Sequence, residues 1–184
     1  MHRLVGVIRI IINDLRFLLL KITSHNVNIG GFCTSRLDNE WDISKSGKLY
    51  LGNHFASLRG CRILIRNHGE LIIGEGVGLN TNCTIACHKK IFIGDGAEFG
   101  PNVCVYDHDH DFRCEGGIKE GKYSCQEVYI GKNVWIGANT LILKGAKIGN
   151  NSVIAGGSIV SGKADIPDNS VFLQKRTTII SSFL

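Results

Sequence analysis

From Ile130 onward an aliphatic or aromatic residue returns at every sixth position: Ile130, Ile136, Ile142, Ile148, Ile154, Val160, Ile166 and Phe172. A smaller residue, such as Val134, Thr140, Ala146, Ser152 or Ser158, stands four places after each of the first seven. A period of six does not match the 3.6-residue turn of a helix. Upstream the pattern returns with longer corners, at Ile73, Leu79 and Ile85 and then at Ile93, Phe99 and Val105. Ile73-Gly74-Glu75-Gly76 is echoed by Ile93-Gly94-Asp95-Gly96, and a weaker coil begins at Leu51-Gly52. Repeats of this kind stack, because no single one can bury its own apolar face. Three hexads close one triangular coil, and parallel strands in successive coils lie ~4.8 Å apart. The expectation is an all-β solenoid of about five coils over residues 49–172, with a loop at 106–127, a helical, non-repeat segment over 1–48 and a tail over 173–184.

Composition agrees with this. Glycine supplies 23 of 184 residues and proline only 2, Pro101 and Pro167. Collagen-like and Pro/Gly-rich disordered chains need abundant proline. An interior strand needs its N–H for the ladder, so a stacked coil admits proline only at corners. The seven cysteines are odd in number and form no C-x-x-C pair, which suits free thiols in a reducing cytoplasm. The net charge of +5 is mild, and no interleaving of aromatic and basic residues points to nucleic acid. Residues 4–22 are strongly apolar, yet Arg9, Asp14, Arg16 and Lys21 interrupt them. Neither a membrane span nor a signal peptide fits. The segment suits a helix docked within the protein, with peripheral membrane contact as the second reading.

The hexads stop between Val105 and Ile130, and the gap reads Tyr106-Asp107-His108-Asp109-His110-Asp111-Phe112 before a stretch with glycine and lysine. A loop that interrupts an ordered solenoid is where function concentrates. Pro101-Asn102-Val103 leads to His110, and Val134-Trp135-Ile136-Gly137 resumes the coil. In these residues the chain resembles the hexapeptide-repeat acyltransferases, in particular the maltose and galactoside O-acetyltransferases and the acetyltransferases of capsule and O-antigen sugars.

The resemblance implies a left-handed parallel β-helix, acetyl-CoA as co-substrate, no metal, and a homotrimer with active sites between subunits. It implies an O-acetyltransferase acting on a saccharide: a capsule, O-antigen or exopolysaccharide precursor. A loop histidine serves as general base; counting along the motif places His110 there, with His108 as the alternative. A neutral imidazole can take the proton of an attacking hydroxyl near pH 7, and Asp107, Asp109, Asp111 and Glu127 are candidates to fix its tautomer. Trp135, Ala138, Gly156, Ser161 and Lys163 fall at acyl-CoA-binding positions, and Asn80 and His88 near acceptor-binding ones. The chain lacks the family's Gly-x-Pro-Ala ending and its N-terminal substrate helices, which argues against free disaccharides. The resemblance implies a cytoplasmic protein, with the inner membrane face as a place of contact. Two other readings compete. One is a metalloenzyme like the γ-class carbonic anhydrases, with His88, His108 and His110 as ligands. The other is a non-catalytic β-helical scaffold.

Overall fold

The computed structural model describes residues 15–22 and 25–175. Residues 4–14 of the apolar segment and 176–184 of the tail lie outside the described residues.

Register sets the architecture. Val27 pairs with Leu49 and Leu49 with Leu71, so the first coils are 22 residues long. Leu71 pairs with Ile91, a coil of 20. After the loop, Ile130, Ile148 and Ile166 pair at intervals of 18. The chain therefore winds as a parallel β-solenoid with three flat faces, consistent with a left-handed β-helix. The first coil is β1 (Val27–Ile29), β2 (Thr34–Ser35) and β3 (Glu40–Ile43), and the second β4 (Lys48–Leu51), β5 (Ala56–Ser57) and β6 (Arg62–Ile65). The third is β7 (Glu70–Ile73), β8 (Gly78–Leu79) and β9 (Thr84–Cys87), and the fourth β10 (Lys90–Ile93), β11 (Glu98–Phe99) and β12 (Cys104–Tyr106). The inserted hairpin, β13 (His108–His110) and β14 (Tyr123–Cys125), follows. The stack resumes with β15 (Val128–Ile130), β16 (Trp135–Ile136) and β17 (Leu141–Ile142), then β18 (Lys147–Ile148), β19 (Val153–Ile154) and β20 (Ile159–Val160). It ends on β21 (Asp165–Ile166) and β22 (Val171–Phe172). The first strand of each coil lies on face A, the second on face B and the third on face C, which gives sheets of seven, seven and six strands.

The stack begins at Val27, before residue 49, and reaches part of a seventh coil rather than about five. The first coil escapes the hexad pattern for two reasons. Its corners are stretched, and Ser35 and Ser57 occupy the inward position of face B that later coils give to Leu79, Phe99 and Ile136. Those hydroxyls are buried but partnered. The Asn39 amide donates to both at 3.0 Å, and its carbonyl accepts from the Cys61 N–H at 2.9 Å. Trp41 fills the remaining volume, its Nε1–H 3.2 Å from the Ser35 hydroxyl.

The helix over residues 15–22, α1, closes this end. Phe17 is buried edge-on against Trp41 at 5.4 Å, and Trp41 against Phe55 at 5.9 Å. The Arg16 guanidinium donates to the Asn39 and Arg36 carbonyls. Among the described residues no helix is long and apolar enough to cross a membrane. The interior is a continuous ladder built mainly of Ile, Leu and Val, and no disulfide joins any of the seven cysteines.

The corners divide two tasks between residue types. Among the described residues asparagine and glycine share the left-handed backbone positions, and the asparagine amides stack from coil to coil: Asn82 on Asn102 at 3.3 Å and Asn102 on Asn139 at 2.9 Å. Many of the glycines do something else: they let coils approach. A Cβ on Gly94 would come within 2.7 Å of the Gly131 carbonyl carbon.

Candidate active site

The hairpin leaves the prism at the edge between faces C and A, where the chain turns from β12 toward β15. The same edge carries His88 one coil earlier and Lys144 one coil later. Asp107, the first residue of the excursion, is fully buried. Its carboxylate accepts from the His88 N–H at 2.8 Å, from the Lys89 N–H at 2.7 Å, and lies 3.1 Å from His108 Nδ1. Burial alone would raise its pKa. The hydrogen bonds from His108, His88 and Lys89 outweigh that and hold it below the usual carboxylate range. An ionised carboxylate only accepts, so His108 Nδ1 carries a proton, and in the neutral imidazole it is Nε2 that keeps the lone pair.

The His108 ring is held on several sides. It stacks on His88 with centroids 3.7 Å apart and planes at 25°. Tyr123 meets its edge at 5.4 Å and Tyr106 at 6.0 Å. Burial, and then the neighbouring His108, push the His88 imidazole down to about 4, so it is neutral at pH 7. His110 lies on the same strand but is exposed, and its ring meets only Tyr123, at 4.7 Å, among the described aromatic contacts. Asp109 and Asp111 are not at either ring: Asp109 pairs with Lys144 and Asp111 accepts from the Arg113 N–H. Glu127 lies 3.8 Å from the Lys89 ammonium.

Ser161 and Lys163 follow β20 on this C–A edge, two coils beyond the hairpin. Trp135 is on face B and is 58% exposed. Ala138 and Gly156 turn the B–C edge, one above the other, and Asn80 turns the same edge. The fold thus brings His88, His108 and His110 together and sets Trp135, Ala138, Gly156 and Asn80 elsewhere on the same prism. Among the described residues no three side chains of metal-binding type converge. His88 and His108 meet by their faces, and His108 Nδ1 is engaged by Asp107. Tyr123 and Lys144 carry no signal in the sequence. Tyr123 reaches the histidines only through the antiparallel register that sets it opposite His110.

Residues 127–162 match the family described as bacterial transferase hexapeptide (six repeats). The chain is 41% identical over 98 residues to the galactoside O-acetyltransferase of Lactococcus lactis, a match covering 53% of this chain and 46% of that protein. It is 28% identical over 149 residues to the Escherichia coli protein named "Putative lipopolysaccharide biosynthesis O-acetyl transferase WbbJ", covering 77% of this chain and 75% of that one. The chain spans less than half the length of the Lactococcus relative. Among solved structures, the hexapeptide-repeat-containing acetyltransferase VCA0836 of Vibrio cholerae superposes with a TM-score of 0.58 at 27% identity, over 66% of each chain. The same Vibrio protein has been solved in complex with acetyl coenzyme A. Fold and repeat define the class: a parallel β-helix whose residues 127–162 match the hexapeptide-repeat model. Within that class the chain falls beside acyltransferases.

Proposed function

We propose that the protein is an acetyl-CoA-dependent O-acetyltransferase that acts on a saccharide, a capsule, O-antigen or exopolysaccharide precursor. The observation that carries this reading is the buried Asp107 carboxylate on His108 Nδ1, 3.1 Å away, at the one interruption of the coil. A histidine oriented in this way presents Nε2 as a base. The acceptor hydroxyl loses its proton to Nε2 as its oxygen attacks the thioester carbonyl. The tetrahedral intermediate collapses, and the proton returns to the departing coenzyme A sulfur. The galactoside and lipopolysaccharide relatives support a sugar acceptor, and the Vibrio complex supports acetyl-CoA as donor.

Counting along the motif points to His110. Orientation favours His108, because among the described residues His110 has no carboxylate partner and is exposed. Purified His108→Asn and His110→Asn variants separate them. His108→Asn should lose about 10²-fold or more in kcat, the size of a general-base contribution, and His110→Asn about tenfold at most. The reverse order would move the base to His110, and full transferase activity in the double variant would end the loop-histidine mechanism.

The active form is a homotrimer with each site shared by two subunits. The acyl-CoA candidates Trp135, Ala138 and Gly156 stand away from the hairpin edge of their own chain. Packing the B–C edge of one prism against the C–A edge of the next would unite the two sets. Small residues at Ala138 and Gly156 let an extended pantetheine arm lie close to the backbone. Ser161 and Lys163 would meet the donor from the hairpin side. The protein acts in the cytoplasm, and the exposed Leu15, Leu18 and Ile22 of α1 are the surface for contact with the inner membrane face.

A further inference from the structure

The hairpin has two sides, because neighbouring residues of a strand point opposite ways. His108, His110 and Tyr123 share the side that faces His88. Asp109 and Ser124, which stand opposite each other in the β13–β14 register, share the other. Among the described residues a single side chain forms hydrogen bonds or an ion pair with Asp109 and Ser124 on that second side. Lys144, at the C–A corner after β17, places its ammonium 2.9 Å from Asp109 Oδ2, 3.0 Å from Ser124 Oγ and 3.2 Å from the Ser124 carbonyl oxygen. The ammonium thus donates to three oxygens, one from β13 and two from β14, and uses its full donor capacity. Its side chain is only 21% exposed, whereas Asp109 is 57% exposed. The ribbon is clasped between the His88 coil on one side and the Lys144 coil on the other. The Gln126 N–H closes its base onto the Asp107 carbonyl at 2.9 Å.

We propose that Lys144 is a positioning residue that latches the hairpin to the β-helix and so sets the place of the His108 ring. An exposed ion pair alone would contribute little. What matters here is geometry: one cation holds both strands, and neither strand has a place in the three-sheet stack. Without it the ribbon is joined to the coils through Asp107, the stacked rings and the long Lys89–Glu127 contact. A displacement of ~1 Å at the reacting group is enough to cost a large factor in rate.

This inference rests on the acetyltransferase reading for its kinetic arm only. Lys144→Met in the full chain should speed amide exchange at residues 108–110 and 123–125 by about tenfold or more, leaving β15–β20 unchanged. Its kcat should fall by about tenfold or more, with the KM for acetyl-CoA within about twofold of the parent. Lys144→Arg should recover most of the loss, since it keeps a cation on a stem of similar reach. Asp109→Asn, which leaves the coil untouched, should reproduce the faster exchange, so the test survives if Lys144→Met folds poorly. Unchanged exchange in the hairpin overturns the latch, and so does a Lys144→Met enzyme with parental kcat. If the parent protein transfers no acetyl group to any saccharide, the acetyltransferase reading fails, and the exchange experiment alone decides the latch.

Discussion

His88 and Asp107 form a linked pair whose chemistry differs from that of free side chains. Asp107 holds the backbone of one coil and the ring of the next segment with one carboxylate, and His88 is packed too tightly to hold a proton at neutral pH. The consequence is a pH dependence of stability. An unfolded imidazole titrates near ~6.5, but the folded His88 ring refuses the proton until about pH 4. Acid therefore favours the unfolded chain across that window. Asp107 works in the same direction. Its folded pKa lies below its unfolded one, so the stability it contributes is present above the unfolded pKa and is lost as pH falls through the folded one. Thermal melts should show falling stability from about pH 6.5 down to about pH 4, and His88→Gln should flatten the upper part of that fall. A parental Tm that is level across the window would contradict the assignment. Four carboxylates near the loop are legible in the sequence as possible partners. Which of them sits on an imidazole is not, because that depends on Asp107 turning inward at the corner while Asp109 turns out toward Lys144.

At the level of the elements, the coil corners explain the glycine content in two parts. Gly94 is needed for close approach, because a Cβ there would meet the Gly131 carbonyl carbon and the Lys132 nitrogen, both at 2.7 Å. Gly76 is different: it has φ +64° and nothing within 4 Å of a Cβ. Asparagine already occupies that conformation at Asn82, Asn102, Asn133 and Asn151. Melts at one protein concentration should therefore separate them. Gly94→Ala should cost ~1–3 kcal/mol, as forced overpacking does, and Gly76→Asn should stay within about 0.5 kcal/mol of the parent. Equal effects would show that the corners are not divided in this way. The hexads after Ile130 are plain in the sequence because those coils are 18 residues long with two-residue strands. The 22-residue coils at the other end are obscured by four-residue strands and by Ser35 and Ser57 facing inward. Asn39 compensates for those hydroxyls, and no spacing rule announces such a partnership.

On the scale of the whole molecule, two candidate half-sites lie on different parts of one prism, and the proposed trimer would join them across a subunit boundary. A complementation experiment tests this directly. His108→Asn damages one half-site, and Ala138→Trp blocks the other. Each variant alone should be inactive. Protomers of the two kinds, mixed at random in one trimer, should regain about a quarter of parental activity, since half the protomers keep each half-site and the two meet independently. No recovery in mixed trimers would place both halves within one chain. The sequence by itself determined the solenoid, the length of its later coils and the position of its single interruption, because periodicity is a local property that a stack makes repetitive. The tertiary structure decided the rest: the first coil, the orientation of His108 by Asp107, and the clasp of the hairpin between His88 and Lys144. Those depend on residues from different coils meeting at one edge, and contacts between coils are set by register and corner geometry that no run of neighbouring residues encodes.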